Sequence, residues 1–129
     1  MGKAKILIVD DELITTIALT MYLQRFGYAV CEPVCSANEV IKAIEQEHPD
    51  LVLMDVNLGG GHFDGIEIAR QIHACFGIPI AFISAYSPQE LEKHTDKIEP
   101  VGYFTKPFDY QNMQNTLAAV FENQTKDVP

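Results

Sequence analysis

No apolar run in this chain approaches the ~20 residues needed to cross a bilayer, and Gly2-Lys3-Ala4-Lys5 leads into a strand-like run rather than a signal-peptide core. Ile6 stands where a myristoylation motif wants Ser or Thr. These absences argue against a membrane partner and for a cytoplasmic location. Basic residues are scarce, with 9 Lys and Arg against 18 Asp and Glu, a net charge of −9. Direct nucleic-acid binding is therefore not expected, because phosphate backbones are held by Lys and Arg. Cysteine is sparse and odd in number: Cys31, Cys35 and Cys75 have no metal-type spacing and read as free thiols of a reducing compartment. His48, His62, His73 and His94 share no ligand spacing and read as structural or solvated. What remains is 129 residues, 47% hydrophobic and 21% charged, enough for one domain with a single buried core.

The chain is organised around Leu51-Val52-Leu53-Met54-Asp55, an apolar run too short for a helix, which stops at a carboxylate before the glycine-rich Gly59-Gly60-Gly61. It reads as a strand buried on both faces, as in the middle of a parallel sheet. Lys5-Ile6-Leu7-Ile8-Val9 is a second such run, ending in Asp10-Asp11. The spacing of Leu19, Tyr22, Leu23 and Phe26 predicts an inward helix stripe, with Asp10 or Asp11 as N-cap and Gly27 as stop. Tyr28 to Cys35 reads as an edge-proximal strand interrupted by Pro33. Ser36-Ala37-Asn38-Glu39 has the form of a capping box for a helix with Val40, Ile41 and Ile44 inward, ended by Pro49. A third helix from Asp64 to about Phe76 carries Ile66, Ala69, Ile72 and His73 inward and closes at Gly77. Pro79–Ile83 is a fourth strand ending at Ser84. Ser87-Pro88-Gln89-Glu90 caps a polar helix to about Lys97. Val101–Thr105 is a fifth strand ending at Lys106-Pro107, and Asp109 caps a last helix with Met113, Leu117, Val120 and Phe121 as its stripe. Residues 1–122 form the domain on this reading, and 123–129 a polar tail or the start of a linker.

Five βα units in succession imply an α/β fold, a doubly wound parallel sheet with helices on both faces and right-handed crossovers. Five strands best suit the order 2-1-3-4-5, whose switch point lies between strands 1 and 3. Ligands of such sheets gather beyond the carboxyl ends of the strands, which here carry Asp10-Asp11, Asp55, Ser84 and Lys106. Two carboxylates ~4 Å apart repel by roughly 4 kcal/mol at an effective dielectric near 20, so three need a cation or protons to offset them. All-oxygen donors in a small site suit Mg²⁺ better than Ca²⁺, and no His or Cys lies at a strand end to favour zinc. A Lys and a hydroxyl facing a metal-bound carboxylate are what a phosphoryl group needs, with Asp55 as the nucleophile that becomes an acyl phosphate.

Ile-Leu-Ile-Val-Asp10-Asp11-Glu12, Asp50-Leu-Val-Leu-Met-Asp55, Asp64-Gly65-Ile66-Glu67, Ile83-Ser84-Ala85 and Gly102-Tyr103-Phe104-Thr105-Lys106-Pro107-Phe108 occur in order. With these motifs the chain resembles the receiver domain of two-component response regulators from Lys5 to about Phe121. The resemblance implies that Asp55 accepts a phosphoryl group from a phosphohistidine on a sensor histidine kinase or histidine phosphotransfer protein. It implies Asp10, Asp11, Asp55 and the backbone carbonyl of Asn57 as Mg²⁺ ligands, Ser84 as the switch hydroxyl, Tyr103 as the rotating aromatic, and Lys106 as the phosphate-pairing lysine. It also implies a cis bond before Pro107 and room beside Ala85 for the phosphoryl group; a homodimer on phosphorylation is a possible partner state that the sequence does not decide. Asn57 and Tyr86 match positions that tune dephosphorylation in the family. One departure is the Val56–Phe63 loop, whose Gly59-Gly60-Gly61-His62 replaces a shorter, proline-containing turn; a flexible loop there would alter access to Asp55.

The chain is thus expected to be a phosphoacceptor switch with only self-catalysed phosphorylation and dephosphorylation, not a metabolic enzyme. The alternatives are a phosphorylation-independent docking module and a haloacid-dehalogenase-type phosphatase. The latter needs a second acid two residues after its nucleophile, where this chain has Asn57. A flavodoxin-like FMN binder would want a Ser/Thr/Gly-rich loop after the first strand, where three acids stand. Ile14, Ile17, Ala18 and Met21 add apolar surface to a second face of the first helix, either packed on the last helix or exposed as a partner-docking patch.

Overall fold

The computed structural model describes residues 3–59, 62–95 and 97–126. Five strands, β1 (Lys5–Val9), β2 (Ala29–Val30), β3 (Leu51–Asp55), β4 (Ile80–Ser84) and β5 (Gly102–Thr105), alternate with five helices, α1 (Leu13–Arg25), α2 (Ala37–Glu47), α3 (Asp64–Phe76), α4 (Pro88–Thr95) and α5 (Tyr110–Lys126). The strands form one sheet in the order β2-β1-β3-β4-β5, every pairing parallel. This is the expected doubly wound topology.

The continuous apolar strands are explained by a core on each face. Leu7, Val9, Val52, Met54 and Phe82 face Val40 and Ile44 of α2, Ile66, Ala69 and Ile72 of α3 and Leu91 of α4. The alternate residues Ile6, Ile8, Leu51, Leu53 and Ile83 face Leu19 and Leu23 of α1 and Met113 and Leu117 of α5. Because side chains alternate along a strand, each five-residue run serves both layers.

Several local expectations are corrected. Neither Asp10 nor Asp11 is the N-cap of α1; that place belongs to Glu12, which makes no side-chain capping bond, because the Asp10 carboxylate is turned into the sheet edge. β2 has only two residues, with Val34 meeting Val9 as an isolated bridge; Pro33, lacking an N–H, separates them. His48, in the left-handed conformation at φ 50°, closes α2 one residue before Pro49. His73 is exposed, and Ile68 takes the inward place instead. α4 ends at Thr95, and α5 continues through Glu122 to Lys126, so the start of the expected tail is helical; residues 127–129 lie outside the described part. The outer face of α1 is uncovered rather than packed on α5: Ile14 is 84% exposed, Ile17 51% and Met21 52%. Among the described residues no helix is long and apolar enough to cross a membrane.

Candidate functional site

β1 and β3 end side by side, with Val9 in register with Met54, so their terminal acids meet at the switch point. Asp10, Asp11 and Asp55 each bring a carboxylate oxygen within 4.8 Å of the others. Asp10 and Asp55 are buried and Asp11 is exposed. The two buried acids are braced alike: Asp10 Oδ1 accepts the Glu12 N–H at 2.8 Å and Asp55 Oδ1 accepts the Asn57 N–H at 3.0 Å. Lys106, delivered by the end of β5, places Nζ 3.1 Å from Asp10 Oδ2, 2.7 Å from Glu12 Oε1 and 3.4 Å from Asp55 Oδ2. The peptide bond from Lys106 to Pro107 is cis, as the resemblance implied.

The electrostatics follow from this crowding. Burial pushes the Asp55 carboxyl up to about 7; the Asn57 N–H works against that rise, Asp10 adds to it, and Lys106 opposes it. Burial disfavours the Lys106 charge, but Glu12, Asp55 and Asp10 outweigh it and hold the ammonium well above its usual range. One lysine therefore faces an excess of acid. Asp10 Oδ2 is buried and makes no hydrogen bond among the described residues; its ion pair with Lys106 lies outside hydrogen-bond geometry. A buried carboxylate oxygen without a hydrogen bond, in an all-oxygen cluster that shares one lysine, fits a small, hard cation.

Ser84 is buried at the end of β4, its Oγ accepting the Tyr86 N–H at 2.8 Å and its carbonyl accepting the Lys106 N–H at 2.7 Å. Tyr103 is not gathered with the acids. It stacks on Phe82 with ring centroids 6.2 Å apart, and its hydroxyl bonds Thr95 Oγ1 of α4. Asn57 lies beside the acceptor, its side-chain Oδ1 accepting the Phe63 N–H at 2.9 Å. Of the glycine loop, Gly59 (φ +86°) lies against Asp11, whose Oδ2 would be 3.2 Å from an added Cβ; Gly60 and Gly61 lie outside the described residues.

Three features went unread in the sequence. Glu12 makes the shortest of the Lys106 ion pairs, and the third acid of Asp10-Asp11-Glu12 was its only signal. Thr95 holds the Tyr103 hydroxyl, and nothing local marks it. Gly65 lets α3 approach β3 so closely that an added Cβ would lie 1.8 Å from the Asp55 carbonyl oxygen; its place in Asp64-Gly65 was visible, the reason was not.

Residues 6–118 match the family model described as "Response regulator receiver domain". The chain belongs to that family. The receiver domain is 28% identical over 118 residues to sporulation initiation phosphotransferase F of Bacillus subtilis, covering 91% of this chain and 93% of that protein. It is 32% identical over 117 residues to the transcriptional regulatory protein ZraR of Salmonella typhimurium, covering 90% of this chain but only 26% of ZraR. Against ResD of Bacillus subtilis the identity is 34%, over 83% of this chain and 43% of that protein. The receiver thus spans less than half of these two regulators. Among solved structures, the receiver domain of PhyR from Erythrobacter litoralis superposes with a TM-score of 0.80 at 30% identity, covering 94% of this chain and 92% of that one. A CheY-like receiver domain protein from Methanospirillum hungatei superposes at 0.85, with 98% and 99% covered; at 24% identity it bears on the fold alone. Response regulators work with sensor kinases or phosphotransfer proteins, and phosphoryl transfer with Mg²⁺ is general to their receiver domains.

Proposed function

We propose that Asp55 is the phosphoacceptor of this receiver and that Asp10, Asp11, Asp55 and the Asn57 carbonyl hold Mg²⁺. The observation that carries this reading is the convergence of three carboxylates within 4.8 Å on an Asp55 that also pairs with Lys106. The ion would neutralise charge between the acids and the incoming phosphoryl oxygens. An Asp55 carboxylate oxygen bonds to phosphorus as the phosphorus–nitrogen bond of a partner's phosphohistidine breaks, and the imidazole leaves. Lys106, already charged and poised, shifts from the carboxylates toward the phosphoryl oxygens. The Ser84 hydroxyl, which accepts from Tyr86 at rest, donates to one of them. Tyr103 then gives up Thr95 and moves toward the space beside Ser84, biasing the α4-β5-α5 face between two arrangements and toward a homodimer. The domain acts as a cytoplasmic switch rather than a turnover enzyme, with residues 1–122 as the receiver unit and 123–129 as its tail.

Intact-protein mass after treatment with acetyl phosphate and Mg²⁺ tests the assignment. A single phosphoryl adduct is expected, lost on adding EDTA beforehand and absent in Asp55→Asn. Labelling that persists in Asp55→Asn moves the acceptor elsewhere, and no labelling of well-folded wild-type protein favours the docking-module alternative.

The exposed side chains of α1 are the proposed docking face for the phosphohistidine partner. Of these, Ile17 and Met21 line a groove of about 550 Å³ together with Leu13, Thr16 and Pro33, and the groove reaches Asp10 and Asp11, so a helix seated there would bring its histidine to the acids. Ile17→Glu with Met21→Lys is expected to slow phosphotransfer from the partner about tenfold, the loss of roughly one buried anchor, while acetyl phosphate labelling stays at the wild-type rate. Equal slowing of both reactions would place the defect in the site itself.

A further inference from the structure

Phe63 occupies a conformation that bulky residues avoid, φ 59° and ψ 30°, immediately before α3. Two sets of contacts hold it there. Its N–H donates to Asn57 Oδ1 at 2.9 Å, and Asn57 in turn donates its own N–H to Asp55 Oδ1. Its ring meets Tyr86 edge-on, with centroids 5.2 Å apart and planes at 77°, and packs 4.7 Å from His94 of α4. Tyr86 donates its N–H to Ser84 Oγ. The contacts thus run from Asp55 through Asn57, Phe63 and Tyr86 to Ser84, closing an arc between the loops after β3 and β4. These loops border the carboxyl edge of the sheet, from which water must reach a phosphoryl group on Asp55.

We propose that Phe63 is a positioning residue that lengthens the life of the Asp55 phosphoryl group by clasping Asn57 and Tyr86 together over that edge. The inference rests on Asp55 being the phosphoacceptor. Hydrolysis joins a water oxygen to phosphorus as the bond from phosphorus to the Asp55 carboxylate oxygen breaks, giving free carboxylate and inorganic phosphate, which takes up the water's protons or releases them to solvent. The entering water must approach opposite the breaking bond. An aromatic pair spanning the two loops restricts that approach and keeps Asn57 and Ser84 in place. Without the ring, Asn57 loses the anchor of a fixed Phe63 N–H, Tyr86 loses its edge contact, and the two walls part.

The test is the decay of the adduct, followed by intact mass after labelling with acetyl phosphate and Mg²⁺ and removal of the donor. Phe63→Ala and Phe63→Asn are both expected to decay faster than wild type, between about two- and tenfold, the range that loss of one or two aromatic pairs supports. Phe63→Asn keeps a residue at ease in the left-handed conformation, so its effect reports the ring rather than the turn. Phe63→Tyr, which retains the ring, is expected to restore the wild-type lifetime. The Tyr86 ring proton resonances should shift in the first two variants and not in the third, confirming that the contact is lost in folded protein. Unchanged or slower decay in Phe63→Asn, with the Tyr86 resonances shifted, would overturn the proposal. Wild-type protein that never labels would instead overturn the phosphoacceptor reading and the proposal with it.

Discussion

Gly65→Ala is expected to lower the stability of this domain by about 2–4 kcal/mol, roughly 10 °C in Tm. A Cβ there would stand 1.8 Å from the Asp55 carbonyl oxygen, 2.8 Å from its carbonyl carbon and 2.9 Å from the Val56 carbonyl oxygen. These are backbone atoms at the end of the central strand and of the residue after it, so no side chain can swing aside. The start of α3 must back away, stretching the 2.8 Å bond from the Gly65 N–H to the Val56 carbonyl. That retreat also loosens the packing of Ile66, Ala69 and Ile72 against β3. Because the obstruction is at Asp55 itself, acetyl phosphate labelling should fall along with Tm. Thermal unfolding and labelling, measured side by side, check this. A variant within about 2 °C of wild type, equivalent to about half a kcal/mol, would mean that α3 slides outward at little cost.

In metal-free protein, stability should fall as pH rises from about 4 to about 7, the window between the ordinary 3.8 of an aspartate and the raised value of Asp55. Below that window the carboxyl is protonated whether the chain is folded or not. Within it the unfolded chain has lost a proton that the folded chain keeps, so rising pH favours unfolding. Above it the folded protein carries a buried charge whose cost is at most about 4 kcal/mol, from about three pKa units at 1.36 kcal/mol each, less whatever solvent screening removes. Asp55→Asn, which cannot ionise, should therefore be more stable than wild type in EDTA at pH 8 by a comparable amount and no more stable at pH 4. Mg²⁺ at about 100 times its Kd should restore about 2.7 kcal/mol to wild type and much less to the variant. Urea unfolding at pH 4 and pH 8, with EDTA or Mg²⁺, measures all of these. Equal stability of the two proteins at pH 8 in EDTA would show that Lys106 already neutralises Asp55.

The course of the chain was legible because the signals that write it are local. Ile6–Val9 and Leu51–Met54 are too short for helices and too apolar for a surface, and Leu19, Leu23, Met113 and Leu117 recur at helical spacing. Such patterns depend only on which side chains must leave water, and they carried the strand order and the layering. The acids and the lysine were legible for the same reason, since each stands where an apolar run stops and every parallel strand delivers its end to one edge. The short edge strand was not. With Pro33 breaking the ladder, only Val34 could pair again, and neighbouring β1, not the segment itself, decided where.

What the sequence by itself determined is therefore the fold, the edge at which chemistry can occur, and the set Asp10, Asp11, Asp55, Ser84 and Lys106. Tertiary structure alone decided how those groups interact. Glu12 and Lys106 meet across 94 residues, and Lys106 and Asp55 across 51. The rise of the Asp55 carboxyl depends on burial that no neighbouring residue in sequence discloses. The need for glycine at position 65 arises from the close approach of α3 to the end of β3, and the left-handed turn at Phe63 is held by contacts with Tyr86 and His94 of the next βα unit. Hydrophobic periodicity is a one-dimensional record of what is buried; charge balance and close contact depend on distances in three, and packing sets those.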